Sequence, residues 1–550
     1  MAGQGLPGGG LGWRAWLILA AAWFATVPVR PLLDPDEGRY AEIPREMLAS
    51  GDWITPRFDG LKYFEKPPLQ YWATAGSFAA FGVSEWSSRL WSVGLAFACL
   101  PLVWLWTARL YGRRAALIAL TALAVSPFFA IVGHINLLDG AFTFFLTAAV
   151  FAFTLAQSSP VRSAAERRWM LIAWGAAALA VLSKGIVVGV LTGGALISYT
   201  LAGRDSRPWG RLHLIPGLAL FLLVSAPWFI LVSVRNRSFP GFFFVHEHFE
   251  RFLTTVHQRV EPWWYFLPLL LLAVLPWVAP LVRACRGGWA GGGGEAGAGQ
   301  AGGGEFRPLR FLLIYAAVTL VFFSASGSKL APYILPILPV LAAVTGGMSA
   351  ADADFARRAA RIGAGLILLV AAGLLIYSAR RNSYVPHSAL LWGLAAGAAG
   401  LAALTMRHRA GPEDARPALV TALAGILAWQ CLLCEYTLIP PSRSARELVG
   451  AALPAIGAET PLYSVGQYRE TLSPYLGRTL RLVDYEGELR FGLHEEPGAG
   501  LSLAEFAARW SDSGPAVAFF DPEVWERWRR RGLPGQVIAA DSYTIVVSRL

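Results

Sequence analysis

Two clusters of ionisable residues follow the first hydrophobic run of a chain that is otherwise largely apolar. The first reads Asp34-Pro35-Asp36-Glu37-Gly38-Arg39-Tyr40-Ala41-Glu42-Ile43, and the second Tyr63-Phe64-Glu65-Lys66-Pro67-Pro68-Leu69. Ionisable side chains at a membrane boundary cost free energy and tend to mark working sites. Acids at a helix start are also favoured by the dipole. That accounts for one or two of Asp36, Glu37 and Glu42, but not for Glu65 and Lys66 in the same loop. The two prolines hold the backbone before them extended, and a lysine fixed there can bind a phosphate as a point charge. The plainer alternative is a surface Glu–Lys pair, which is worth little.

Further candidates lie downstream. Asp139 follows His134-Ile135-Asn136 and opens an apolar helix, as an N-cap-like acid or a working one. His246-Glu247-His248-Phe249-Glu250-Arg251 is the most metal-like stretch. Histidines two apart suit a strand or loop better than one helix face. Zinc takes three or four N, O or S ligands, so Glu65 joined to one histidine is an incomplete site; otherwise these are interfacial histidines flanked by Phe242–Phe244. Lys184 and Lys329 sit in tight turns between spans, in Leu-Ser-Lys-Gly and Gly-Ser-Lys-Leu, with Tyr333 shortly after. Neither turn has the glycine-rich lead-in of a P-loop, and snorkelling at helix ends is the rival for each lysine. Taken together, these residues describe a cation-rich pocket with acids that suits an anionic lipid headgroup. Cations stabilise charge developing on a leaving phosphate, and a carboxylate can take a proton from an attacking hydroxyl.

The elements that must position this chemistry are membrane helices. The chain has 550 residues, 55% hydrophobic and 15% charged, with mean hydropathy +0.47. Soluble proteins average about 25% charged. Its 22 tryptophans suit membrane interfaces. The net charge of +11 does not point to nucleic acid, because the arginines are scattered through short loops between apolar spans. At ~20 residues per span, runs near 12–29, 88–110, 115–133, 137–156, 168–183, 186–202, 213–234, 264–283, 311–326, 331–348, 362–378, 389–406 and 418–438 predict about thirteen transmembrane helices. The first run resembles a signal peptide but continues to Val29, so it is expected to stay as a span. Arginine-rich loops alternate along the chain, and the positive-inside rule puts them in the cytoplasm. That single orientation brings the loop 30–87, Asp139, Lys184, His246 to Arg251, Lys329 and Tyr333 to the opposite face.

Residues 1–438 thus read as a helical membrane core. They include a first outer loop at 30–87, with a short amphipathic helix expected over Ile43 to Leu48, and a glycine-rich cytoplasmic loop at 286–310 whose 287–305 tract is linker-like. Residues 439–550 change character. Strand-length runs at Pro461–Val465, Leu480–Val483, Ala516–Phe520, Gln536–Ala540 and Tyr543–Ser548 lie among helices near 444–455, 502–510 and 522–531, which predicts a small α/β domain on the outer face. Of the four cysteines, Cys431 and Cys434 have a CxxC spacing inside an apolar span, where chance explains it better than metal or redox chemistry. No cysteine lies in the long polar loops or the C-terminal region, so no disulfide framework is available there.

Asp-Glu-x-Arg-Tyr-Ala-Glu-Ile at 36–43, Tyr-Phe-Glu-Lys-Pro-Pro-Leu at 63–69, Leu-Ser-Lys-Gly at 182–185, Glu-His-x-x-Arg-Phe at 247–252 and Lys-Leu-x-Pro-Tyr at 329–333 resemble motifs of the polyprenyl-phosphate-dependent glycosyltransferases. More narrowly, they are similar to the lipid A aminoarabinose transferases and protein mannosyltransferases. The resemblance implies a GT-C fold in the bacterial inner membrane, with the active site facing the periplasm. It implies transfer of a sugar from undecaprenyl phosphate to lipid A or another glycan. On this chain it makes Asp36 the acid near the reacting centre and Asp139 a second acid. Lys66 and Arg251 would hold the carrier phosphate, while Lys329 and Tyr333 would line the donor pocket. Glu37, Arg39, Tyr40 and Lys184 are further substrate-binding candidates. Glu65 with His246 or His248 would ligate a divalent ion (zinc, magnesium or manganese). A monomer is expected, with the bilayer and a lipid-linked sugar as partners and no nucleic acid. The rival readings are a flippase for lipid-linked sugars, a protein O-glycosyltransferase and a membrane scaffold. The flippase would favour inverted repeats, and none is evident.

Overall fold

A computed structural model describes residues 11–251, 261–290, 306–350, 352, 354–380, 387–405, 415–439, 443–511 and 514–549. The chain divides into two compact units. A helical unit comprises residues 11–28 and 91–436, and a mixed unit comprises 29–90 and 437–549. The first loop, expected to belong to the membrane core, therefore folds with the C-terminal domain.

Helices of the helical unit follow the apolar runs. Among the described residues, eight are long and apolar enough to cross a membrane, and three shorter apolar helices join them. The expected count of thirteen is not confirmed by length and composition alone. The runs at 88–110 and 115–133 lie in Glu85–Ala124, where two helices meet at a kink at Gly112, whose φ is 84°; such a backbone suits glycine. The second run then stops at Ser126. Its hydroxyl caps a six-residue helix, Pro127–Val132, that begins with proline. The Ala164–Lys184 helix starts on a capping pair: Ser163 accepts from the Glu166 amide at 3.1 Å, and Glu166 accepts from the Arg162 amide at 2.7 Å. Arg211 and His213 also bind Glu166, at 3.0 and 3.1 Å. The glycine-rich linker lies outside the described residues from 291 onwards.

His246 to Glu250 does not form a strand or loop. Gly241–Glu250 is a π-helix, a rare winding that is frequent at functional sites. Pro240 begins it, and the His248 ring closes it by bonding the Phe243 carbonyl at 2.7 Å.

In the mixed unit, all five expected strands form within two residues of their predicted limits. Their order in the sheet is Arg481–Val483, Leu462–Val465, Ala516–Phe520, Ile545–Arg549 and Gln536–Ala540. The first three are parallel and the last two antiparallel to their neighbours. Phe506, Trp510, Phe520 and Trp525 fill the core on one side. Helix Asp36–Ser50 ends at Gly51, in the left-handed conformation at φ 71°. It lies so close to the backbone of Glu470 and Thr471 that a Cβ on Gly38 would come within 2.4 Å of it.

Beneath this helix, Glu42 and Glu46 share a buried space with Asp59. Arg45 pairs with Glu42, Gly60 donates its amide to Glu46 at 2.9 Å, and the Ser473 hydroxyl and Leu480 amide donate to Asp59 Oδ1 at 3.0 and 2.8 Å. Burial, reinforced by Glu42, pushes Asp59 up to about 8; burial, with Glu42 and Asp59 adding to it, pushes Glu46 up to about 9. Both lie above the ordinary carboxylate range near 4, so the folded state binds these protons more tightly than the unfolded state. The associated stability is complete below about pH 4 and is lost as pH rises through 8 and 9. The melting temperature of the mixed unit is expected to fall on alkaline titration, and Asp59→Asn should flatten that fall. An unchanged slope in the variant would disprove the account.

Candidate active site

In the helical unit, Asp139 lies in the first turn of Leu138–Gln157 and Lys184 at the last residue of Ala164–Lys184. They form an ion pair with side chains about one-tenth exposed. The Lys184 ammonium also lies 4.6 Å from the centre of the Tyr333 ring and 5.3 Å from that of Phe142, a favourable approach to the negative ring face. Arg251 donates to the Tyr333 hydroxyl at 3.2 Å and to Glu247 at 2.8 Å. Asp139, Lys184, Tyr333, Arg251 and Glu247 are thus linked around one phenol. Lys329 is buried and donates to the Ser326 carbonyl at 2.6 Å.

The two histidines part company, as residues two apart on a helical winding must. His246 is partly exposed; it stacks on Phe242 and bonds Glu250 at 2.7 Å. His248 packs against Gly185, beside Lys184. A Cβ on Gly185, whose φ is 106°, would stand 2.4 Å from His248 Nε2. Gly185→Ala is therefore expected to destabilise the protein by about 1–3 kcal/mol and to lower activity by displacing the ring and the adjacent lysine. Thermal unfolding and transfer assays in detergent measure both. Wild-type values for both would show that this contact is slack.

In the mixed unit, Arg39 is the hub. It donates to Asp36 at 3.2 Å and to Glu488 with two nitrogens, and it lies 5.9 Å from both the Tyr40 and Tyr63 ring centres. Tyr40 stacks on Tyr71 at 6.1 Å. Asp36 remains open, with 43% of its side chain exposed. Burial pushes Glu488 up, against the pull of Arg39; burial and Glu488 push Glu470 up to about 8. Lys66 donates to the Glu65 carbonyl at 2.9 Å and faces its carboxylate at 3.6 Å. Glu37 is turned elsewhere: Arg89 takes both its oxygens at 2.7 Å, wholly buried, and also donates to the carbonyls of Arg30 and Pro31. Asp34 is held by Arg469 at 3.2 Å and by the Thr471 amide at 2.8 Å.

Of the proposed metal ligands, Glu65 belongs to the mixed unit and His246 and His248 to the helical unit. Among the described residues, no group of three or more His, Cys, Asp or Glu side chains is placed to hold a metal ion.

Residues 15–282 match the family model for dolichyl-phosphate-mannose-protein mannosyltransferases, and residues 448–549 match that for the aminoarabinose transferase C-terminal domain. The chain is 31% identical over 553 residues to the undecaprenyl phosphate-alpha-4-amino-4-deoxy-L-arabinose arabinosyl transferase of Pseudomonas paraeruginosa, a match covering 94% of this chain and 95% of that one. The chain belongs to the aminoarabinose transferase family. The relative of the same name from Edwardsiella ictaluri is 34% identical over 341 residues, spanning 61% of this chain and 59% of that relative. The crystal structure of ArnT from Cupriavidus metallidurans bound to undecaprenyl phosphate superposes with a TM-score of 0.86 at 32% identity, covering 98% of this chain and 97% of that one. The archaeal oligosaccharyltransferase AglB from Archaeoglobus fulgidus shares the fold at a TM-score of 0.50 and 14% identity. This aminoarabinose transferase relative is a multi-pass membrane protein with a GT-C fold, and a polyprenyl-phosphate-dependent glycosyltransferase.

The motif residues all carry ionisable or aromatic groups at unusual places, which is why the sequence exposed them. Glu488, Glu470, Glu247 and Arg89 were not picked out as site groups. Glu247 was visible within the histidine run. Arg89 lies at the start of an ordinary apolar helix, and Glu488 lies 449 residues from the arginine it grips.

Proposed function

We propose that this protein transfers 4-amino-4-deoxy-L-arabinose from undecaprenyl phosphate to a phosphate of lipid A, at the periplasmic face of a bacterial inner membrane. The observation that carries this reading is the likeness, over nearly the full length of both chains, to arabinosyl transferases and to ArnT bound to undecaprenyl phosphate. An acceptor oxygen attacks the anomeric carbon. The bond from that carbon to the carrier phosphate oxygen breaks, and the electron pair leaves with the phosphate. Lys66 and Arg251 are the proposed partners of that departing charge. Lys184, beside Asp139 and Tyr333, supports the same role for the helical unit. Asp36 takes the acceptor's proton where it has one. A lipid A phosphate has none to lose, and Asp36 then orients it or stabilises positive charge on the sugar.

The test is transfer by purified full-length protein from undecaprenyl-phosphate-linked aminoarabinose, with lipid A, other glycans and peptide as separate acceptors. Product on lipid A alone supports the reading. Product on peptide would move the acceptor assignment to protein. Intact donor with every acceptor would overturn the donor assignment.

A further inference from the structure

A crevice of about 1020 Å³ opens on the helical unit between helices Val187–Gly203, Val278–Ala290 and Pro308–Ala325. Its wall is apolar, with Leu313, Ala317 and Val321 spaced four apart along one helix face. From Leu313 to Phe322 the helix rises roughly 14 Å, close to half of the ~30 Å hydrocarbon core. The crevice is therefore about one leaflet deep. It uses Ser198 and Ala202, at the far end of the helix that begins beside Lys184, and so lies away from the headgroup chemistry proposed above.

One lip is charged. Arg286 borders the crevice and is exposed, with no acidic partner among the described residues. Its neighbours are engaged: Arg283 pairs with Asp352 at 3.3 Å, and Arg310 donates to the Ala202 carbonyl at 2.9 Å. An occupant that suits this shape has a hydrocarbon tail one leaflet long and an anionic head at Arg286. We infer that the crevice binds an anionic glycerophospholipid from the leaflet at the arginine-rich helix ends. This leaflet is the cytoplasmic one on the orientation in the proposed function, and the inference rests on that orientation only for its name.

Native mass spectrometry of the full-length protein in detergent tests the site, with phosphatidylglycerol, phosphatidylcholine and undecaprenyl phosphate as separate probes. Wild type is expected to retain phosphatidylglycerol about fivefold better than phosphatidylcholine, the preference one basic residue supplies near an anionic surface. Arg286→Gln should remove that preference, and Ala317→Trp, which fills the crevice, should lower retention of both. Equal retention of the two lipids by wild type, or an unchanged preference in Arg286→Gln, would overturn the inference. So would selective displacement of phosphatidylglycerol from the crevice by undecaprenyl phosphate. Cys285 gives a readout that needs no variant, because it lines the crevice while Cys99, Cys431 and Cys434 are buried. Phosphatidylglycerol should slow its alkylation by a maleimide, and an unchanged rate counts against the site. Alkylation of spheroplasts by an impermeant maleimide reports sidedness separately, so a wrong orientation and a wrong site give different results.

Discussion

Asp36→Asn is expected to lower sugar transfer by about 10³-fold, within the 10²–10⁴ range for a positioned acid or base, while changing stability by no more than about 0.5 kcal/mol. Asp36 is open to solvent over 43% of its side chain, and its bond to Arg39 is 3.2 Å long. An asparagine carbonyl can accept the same bond, so little of the packing depends on the charge. What the substitution removes is the carboxylate itself, beside an arginine whose other nitrogens are already fixed by Glu488. The measurements are initial rates of transfer and thermal unfolding of the same preparations. Near-wild-type transfer by a folded Asp36→Asn protein would remove Asp36 from the mechanism. Comparing acceptors separates its two proposed duties: a base is needed when the acceptor is a hydroxyl, and an orienting carboxylate also serves an acceptor phosphate.

The sequence exposed Asp36 for a reason that does not extend to its surroundings. A run of acids, an arginine and tyrosines after a hydrophobic span is conspicuous because each such group costs free energy near a membrane. The C-terminal strands were visible for a different reason: short apolar runs punctuated by Gly, Pro and charged turns have few alternatives to a sheet. The helix of Asp36 takes its support from Glu470, Thr471 and Arg469, and these sit in loops with no local signal. Composition treated the first loop as part of the membrane core because it interrupts the apolar runs. It folds with the C-terminal domain instead, through pairs that chain order conceals, such as Arg57 with Glu496 and Lys62 with Glu495. The histidine stretch departs from its expected strand or loop for a third reason. An i, i+2 spacing distinguishes a strand from an α-helix, and a π-helix has a periodicity different from both.

Glu37 stands next to Asp36 and should behave in the opposite way: Glu37→Ala is expected to destabilise the protein by about 3–5 kcal/mol, the cost of stranding a buried charge. Successive residues on a helix do not share a face, and here one carboxylate meets solvent while its neighbour meets Arg89 in a fully buried, two-point contact. That arginine also donates to the Arg30 and Pro31 carbonyls at 2.7 Å, so it ties the approach to the Asp36 helix to the start of the next long helix. Glu37 accepts the Leu33 amide at 3.1 Å as well. Removing the acid leaves Arg89 without its counter-ion in the interior. Arg89→Met should be milder alone than Glu37→Ala, because a carboxylic acid can take up a proton whereas a guanidinium cannot lose one. The double variant Glu37→Leu/Arg89→Met should recover much of the loss, since a buried pair replaced by apolar groups of like volume is often neutral. Chemical denaturation of these proteins beside Glu37→Leu, which closes the cycle, measures the coupling. If Glu37→Ala unfolds like wild type while transfer is lost, Glu37 is a substrate-binding residue after all and the buried pair is dispensable. If stability falls and transfer per folded molecule is retained, the acid that builds the helix and the acid that works on it are adjacent residues of one motif.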